Sequence, residues 1–538
     1  MSNSANFTSM PSVGELAVMS TEQLVKLIQM QANAMASLSE QLAYCKHQIE
    51  WFKRQLFGRK SERFAVLPDP LQMHLGQSFE EVCASAQEET NFEEVAANKR
   101  RKSGTDFASE GESKLFFDES KVPVETIELP AVGVQGLSSE QYEVIDTEVS
   151  WRLAQRPGSY VVLKYTRPVI KRREDQTIHS TPAPAGIFEG SRADVSFIAG
   201  LLVDKFAWHL PLYRQHQRLQ AAGITVSRQW LTQLVHNSAQ LLEPIYEAQL
   251  ESIRQSRVKA MDETPIKAGH TAGQMKQGYF WPIYGERDEV CFAYHESRRH
   301  EHVGQSLGLT LAAGSVLLSD GYAAYSSYAH KTGVTHAQCW AHSRRKFSEA
   351  HAAQPQEAAQ ALKQIAMLYE IEEHIRVNKL SGENKRMHRL THSKPVVDKF
   401  FDWVDQQFQA QGLLPSNPLT QALSYVRERR AGLEVFLRDA DVPIDTNHVE
   451  RALRAIALGR KNWVFCWTEV GAQYAGIVQS LIATCRLHNI DPTTYLVDVL
   501  QRVAQHPATR VAELTPVQWK QHFAAQPLRS DLYRPEVI

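Results

Sequence analysis

From Leu24 to Leu56 apolar side chains return in alternating steps of four and three: Leu24, Ile28, Met35, Leu38, Leu42, Cys45, Ile49, Phe52 and Leu56, with Gln31 filling one slot of the seam. A seam of more than four heptads keeps one face of a helix apolar, and its polar slot can help fix register. The spacing predicts a coiled-coil helix over residues 20–64 that self-associates through residues 20–57; an amphipathic helix packed on the chain's own core fits the same periodicity. Gly58 can end the helix, and basic Arg59, Lys60 and Arg63 follow. Residues 1–19 read as a disordered start. Residues 65–120 are poor in aliphatics and carry Glu80-Glu81, Glu88-Glu89, Glu93-Glu94 and the cluster Lys99-Arg100-Arg101-Lys102, which predicts a flexible linker.

Beyond the linker the period changes. The alternation in Ser159-Tyr160-Val161-Val162-Leu163-Lys164-Tyr165-Thr166 predicts strands of a small β-rich unit over residues 121–200, closed by Pro182 and Pro184. In the helical region 201–257, Leu210 to Ala222 reads as a helix, Gly223 as a turn, and Ser227 to Ala239 as a second helix capped by Ser227. Two helices on a short turn have the shape of a helix-turn-helix, whose second helix can enter a major groove, so Arg228, Gln229 and Gln233 are candidate base readers. A plain helical hairpin supporting the next domain fits equally well.

From Val258 short apolar runs predict a strand-rich core. Val258-Lys259-Ala260-Met261 ends in Asp262; Gly278 to Tyr284 and Val290 to Tyr294 read as second and third strands, Ser315 to Ser319 as a fourth ending in Asp320, and Thr335 to Cys339 as a fifth. The expected fold class is α/β, with a core first part over 258–347, an all-helical insertion over 348–440, a core second part over 441–478 and a C-terminal helical region over 479–538.

Composition narrows the class. At 538 residues and 43% hydrophobic the chain can bury several cores. A formal net charge of −1 means that contact with nucleic acid must come from local basic patches. The six cysteines are scattered with no Cys-x-x-Cys pair, which argues against a disulfide framework and fits a reducing cytosol. No stretch offers 18 uninterrupted apolar residues, so no membrane partner is expected.

Asp262 and Asp320 end strand-like runs 58 residues apart (320 − 262), and Glu450 opens a basic helical stretch, Glu450-Arg451-Ala452-Leu453-Arg454. Each has a plain alternative: Asp320-Gly321 is a common turn dipeptide, Asp262 with Pro265 suits strand-end punctuation, and Asn447 to Glu450 suits a helix capping box. Taken in order, they have the layout of a ribonuclease H-like nucleotidyl-transfer core. There, carboxylates from different elements hold two hard cations that stabilise the attacking and leaving oxygens at phosphorus. Arg344, Arg345 and Lys346 on one side, and Arg451, Arg454, Arg460 and Lys461 on the other, flank the set and suit phosphate oxygens, although some can instead neutralise buried carboxylates.

Longer runs carry a resemblance. Gln55-Leu56-Phe57-Gly58-Arg59-Lys60-Ser61-Glu62, Lys205 to Gln215, Met261-Asp262-Glu263-Thr264, Ser319-Asp320-Gly321-Tyr322, Cys339-Trp340-Ala341-His342-Ser343-Arg344-Arg345-Lys346-Phe347, Asn447 to Arg454 and Gly459 to Phe465 resemble the insertion sequence 66 family of bacterial transposases, nearly throughout the chain. The resemblance implies an Asp-Asp-Glu triad at Asp262, Asp320 and Glu450 and two Mg²⁺ or Mn²⁺ ions. It also implies double-stranded DNA as partner, both element ends and target, with helper proteins of the same element as further candidates and a cytoplasmic, nucleoid-associated location. The expected activity is hydrolysis at element ends followed by strand transfer; a nuclease of the same fold and a non-catalytic DNA-binding protein are the alternatives. Family members commonly carry a cysteine-rich zinc segment ahead of the helix-turn-helix region, but here residues 115–200 contain no cysteine, so no zinc is expected. His336-x-x-Cys339-x-x-His342 reads as a strand end running into a helix, not as a zinc half-site.

Overall fold

The computed structural model describes residues 115–130, 141–156, 158–174, 176–271, 274–410, 414–463, 466 and 468–533. The heptad segment and all but the last residues of the expected linker lie outside them. Phe117, inside the stretch read as linker, is 5% exposed and bridges to Ile224, while Asp118 N–H bonds the Gly223 carbonyl at 2.9 Å. The linker reading therefore fails at residues 117 and 118, because Phe117 finds an apolar cover.

The β-rich unit is a four-stranded sheet of β1 (Val124–Glu128), β2 (Tyr142–Arg156), β3 (Ser159–Arg172) and β4 (Ile178–Ser180). β2 and β3 form a long antiparallel hairpin, β1 pairs β3 in parallel, and β4 adds to the far end of β3. Gly158, at φ +80°, makes the turn that a side-chain-bearing residue resists. One face of the hairpin closes a small core of Ala154, Val161, Leu163, Tyr165 and Leu532.

Three helices lead into the second sheet: α1 (Val195–Phe206), α2 (Leu212–Ala221) and α3 (Arg228–Gln255). Ser227 caps α3, its hydroxyl accepting from Trp230 N–H. The expected helix ended at Ala239; α3 runs on to Gln255 because Leu242, Ile245, Tyr246, Leu250 and Ile253 continue its buried stripe past Pro244.

The second sheet holds β5 (Val258–Met261), β6 (Thr264–Thr271), β7 (Gln274–Tyr284), β8 (Val290–His295), β9 (Val316–Ser319) and β10 (Thr335–Gln338). β6 was not expected. Pro265 sits inside it, paired with Tyr279 of β7, as an edge strand tolerates. Across the sheet the order is β8, β7, then β5 with β6 alongside the same strand, then β9 and β10. β5, β7 and β8 are antiparallel in succession; β9 and β10 join β5 in parallel. Lys259, only 1% exposed, survives inside β5 because its ammonium donates to the Arg254 carbonyl at 3.1 Å and to that of Ser256, at the C-terminal end of α3.

Between β8 and β10 lie α4 (Glu301–Leu307) and α5 (Ala323–Thr332); α6 (Trp340–Ala350) follows β10. A run of helices comes next: α7 (Pro355–Val377), α8 (Gly382–His388), α9 (Lys394–Ala410) and α10 (Pro418–Glu428), then two single turns. The chain returns to the sheet with α11 (Asn447–Trp463) and α12 (Glu469–Leu487) and closes with α13 (Pro492–Arg502) and α14 (Pro516–His522). The boundary expected at 478/479 falls inside α12. Among the described residues no helix is long and apolar enough to cross a membrane.

Candidate active site

β5 and β9 run side by side in parallel, and their last paired residues are Ala260 and Leu318. Two residues beyond that pair, and one past the end of each strand, stand Asp262 and Asp320, at the C-terminal ends of neighbouring strands that lie about 4.8 Å apart. One oxygen of each is held locally: Asp262 Oδ1 accepts from Glu263 N–H at 2.8 Å, and Asp320 Oδ1 from Tyr322 N–H at 2.9 Å. Burial pushes the Asp262 carboxyl up to about 7, and the charges of Glu263, Asp320 and Glu450 push the same way.

Asp320-Gly321 is more than a turn. A Cβ on Gly321 would stand 2.5 Å from Arg429 Nε and 2.7 Å from the Tyr425 ring, so any larger residue would have to displace these two side chains. Arg429 in turn donates to the Gly321 carbonyl at 3.2 Å, tying the strand end to the helical run.

Glu450 arrives 130 residues after Asp320 (450 − 320) because the segment before α11 is fastened to the start of α6. Trp340 N–H bonds the Ile444 carbonyl at 3.1 Å, and Thr446 donates to Cys339 Sγ through both its N–H and its hydroxyl at 3.3 Å. The His448 ring meets Tyr284 of β7 edge-on at 4.6 Å. Glu450 does not close a capping box: the Asn447 N–H goes to Asp445 Oδ1 at 3.0 Å, and Glu450 Oε1 faces Arg345 Nη2 at 3.3 Å and His342 Nε2 at 3.9 Å. Among the described residues no group of three His, Cys, Asp or Glu side chains is arranged to hold a metal ion. His336, Cys339 and His342 do not converge: His336 Nε2 pairs with the Ser319 hydroxyl at 2.8 Å, Cys339 serves Thr446, and His342 faces Glu450.

The basic candidates divide. Arg344, Arg451, Arg454 and Lys461 are exposed on α6 and α11. Arg345 is spent on Glu450, Lys346 pairs with Glu349 at 3.3 Å, and Arg460 donates to the Pro265 carbonyl, so it braces β6. At the start of α3, Arg228 lies over the Tyr213 ring at 5.6 Å, Gln229 is half-buried, and Gln233 is exposed and bonded to Asn237 at 2.6 Å.

Glu263, Tyr322 and His342 stand in the motif runs without an assigned place in the site, and Arg298 and Tyr325 stand outside those runs altogether. The Glu263 carboxylate is bound by Arg298, 35 positions away, and by the Tyr325 hydroxyl, 62 positions away. Its place directly after Asp262 was the available signal; no spacing pointed to its partners.

Residues 190–474 match the Transposase IS66 family, and residues 480–517 match the IS66 C-terminal element. Residues 45–107 match the Transposase C of IS166 homeodomain, a stretch that spans the end of the heptads and most of the expected linker and lies outside the described residues. The chain is 31% identical over 504 residues to the uncharacterized protein y4hP of Sinorhizobium fredii (strain NBRC 101917 / NGR234), covering 89% of both. It is 28% identical over 513 residues to the uncharacterized protein y4jD of the same organism, covering 90% of this chain and 96% of that one. With a family match over more than half of its 538 residues, the chain belongs to the IS66 family of transposases.

Proposed function

We propose that this protein is a DNA transposase that hydrolyses a phosphodiester at the ends of its element and then joins the freed 3′ hydroxyl to target DNA. Its second sheet is read as ribonuclease H-like: three antiparallel strands followed by two parallel ones, in the order β8, β7, β5, β9, β10. The observation that carries the reading is the pair of aspartates that directly follow the neighbouring parallel strands β5 and β9, close enough for the charge of Asp320 to act on Asp262.

The donor set fits Mg²⁺ or Mn²⁺. It consists of hard carboxylate oxygens, and Asp262 is held among like charges that a divalent cation relieves. Asp262 and Asp320 would hold the ions, with Glu450 as third ligand once its carboxylate leaves Arg345. When bound, a pair of such ions lowers the pKa of a water and stabilises the leaving oxygen. The chain's own part is to orient the carboxylates through the Glu263 and Tyr322 amides and to hold the DNA backbone through Arg344, Arg451, Arg454 and Lys461. Arg228, Gln229 and Gln233 at the start of α3 read base edges, with residues 45–107 as a second DNA-contacting region. Self-association through residues 20–57 brings the two ends together, with helper proteins of the element as further partners.

Asp262→Asn, Asp320→Asn and Glu450→Gln each abolish cleavage of end DNA while gel-shift binding persists. Retained cleavage in any one removes that residue from the site. A strand-transfer assay with a pre-cleaved end separates transposase from nuclease: a nuclease cuts and leaves the end unjoined.

A further inference from the structure

Four side chains link the two aspartates from outside the carboxylate triad. Glu263 follows Asp262, and its side chain is only 4% exposed. Its Oε1 accepts from Arg298 Nε at 2.8 Å and also from Nη2, and its Oε2 accepts from the Tyr325 hydroxyl at 2.5 Å. The Arg298 guanidinium lies 4.1 Å from the centroid of the Tyr322 ring, and the Tyr322 hydroxyl donates to the Arg298 carbonyl at 2.5 Å. Tyr322 gives its N–H to Asp320, just as Glu263 gives its own to Asp262. The contacts therefore leave one aspartate, cross the loop after β8 and the start of α5, and return at the other.

A buried carboxylate beside Asp262 and Asp320 adds repulsion that an apolar residue would not. An apolar pair of similar volume would hold the same loops without that repulsion, so stability alone does not account for the arrangement. Its distinctive product is geometric, since both ends of the network terminate on the amides that orient the aspartates.

We infer that Glu263, Arg298, Tyr322 and Tyr325 form a positioning clamp that sets the separation and orientation of Asp262 and Asp320, and through them the affinity of the pair for a divalent cation. This rests on the reading of the two aspartates as cation ligands. Glu263 is bound on both oxygens and acts through its neighbours.

The test is Mn²⁺ titration of the full chain without DNA, followed by the paramagnetic resonance signal of the free ion. Wild type binds, whereas Asp262→Asn and Asp320→Asn do not. Glu263→Gln and Arg298→Ala weaken Mn²⁺ binding about 10- to 100-fold, the usual effect of losing a residue that supports a ligand. Arg298→Lys keeps the charge but loses the planar fork and the stacking, and fails to restore affinity. Tyr325→Phe keeps the ring and the packing, giving a several-fold loss in a variant that folds. Saturating Mn²⁺ restores cleavage in the clamp variants but not in the aspartate variants. The clamp is overturned if Glu263→Gln, Arg298→Ala and Tyr325→Phe bind as wild type while Asp262→Asn does not, or if Arg298→Lys restores affinity fully. Wild-type binding in Asp262→Asn and Asp320→Asn overturns the ligand reading itself, and the clamp with it.

Discussion

Asp262 holds its proton to about pH 7, against 3.8 for a free aspartate, because burial and its acidic neighbours disfavour the anion. The metal-free folded chain therefore carries a proton that the unfolded chain has lost between those values, and stability falls as pH rises through that window. Asp262→Asn removes this contribution, so metal-free wild type loses more stability than the variant between pH 4 and pH 7 in urea titrations, and added Mg²⁺ narrows the gap. Buried histidines, His295, His336 and His448 among them, act in the opposite sense. Burial pushes His295 and His448 down to about 4 from 6.5, so the unfolded chain binds protons first and stability is lost as pH falls from 6.5 towards 4. His448→Gln flattens that acid limb in the same titration. At this scale the positions of Asp262 and Asp320 after short strands and of Glu450 in the first turn of a helix were legible, because each stands beside a recognisable apolar or basic run. The contacts of Glu263 were not, since no local pattern joins it to Arg298 and Tyr325.

The element that best shows what periodicity hides is α12. Gly476, Ser480 and Thr484 recur every four residues and lie on β8: Ser480 Oγ accepts from Phe292 N–H at 2.9 Å, and Thr484 Oγ1 from Val290 N–H at 3.2 Å. Helix hydroxyls thus satisfy the donors of a sheet edge that would otherwise be open to pairing. A Cβ on Gly476 would meet the Phe292 carbonyl at 2.4 Å. Gly476→Ala should destabilise the protein by about 1–2 kcal/mol net in urea unfolding, overpacking outweighing the gain of about 1 kcal/mol in helix propensity. In the helical run, the Arg389 guanidinium is fully buried, forked onto Glu372 at 2.7 Å and bonded to the carbonyls of Phe436 and Val442. Arg389→Ala strands that carboxylate and should cost about 3–5 kcal/mol, read as a lower urea midpoint. The helices themselves were readable from apolar spacing, as was the Ser227 cap. The partners of a fully buried arginine were not, because a charged residue at a single position looks like surface until the fold encloses it.

Over the whole molecule the chain's end comes back to an early sheet. Leu532 completes the small core under β2 and β3, Asp531 accepts from the Tyr165 hydroxyl at 2.8 Å, and the Ser530 hydroxyl donates to Asp194 Oδ1 at 2.5 Å. Leu532→Ala should cost about 2 kcal/mol, the low end for a buried leucine. It should also speed proteolysis within residues 141–172, as followed by mass spectrometry; an unchanged digestion pattern there argues that the sheet stands without the tail. The sequence by itself determined the elements whose signal is local: the alternation of β3, the strands ending at Asp262 and Asp320, the capped start of α3 and the family motifs. Periods of two and 3.6 residues are imposed by backbone geometry and survive in any context. Only the tertiary structure decided that Glu450 faces Arg345, that Glu263 is gripped by Arg298 and Tyr325, that α12 seals β8, and that residues 530–532 close a sheet begun four hundred positions earlier. Those pairings depend on which surfaces the packed core brings face to face, and no repeat along the chain records them.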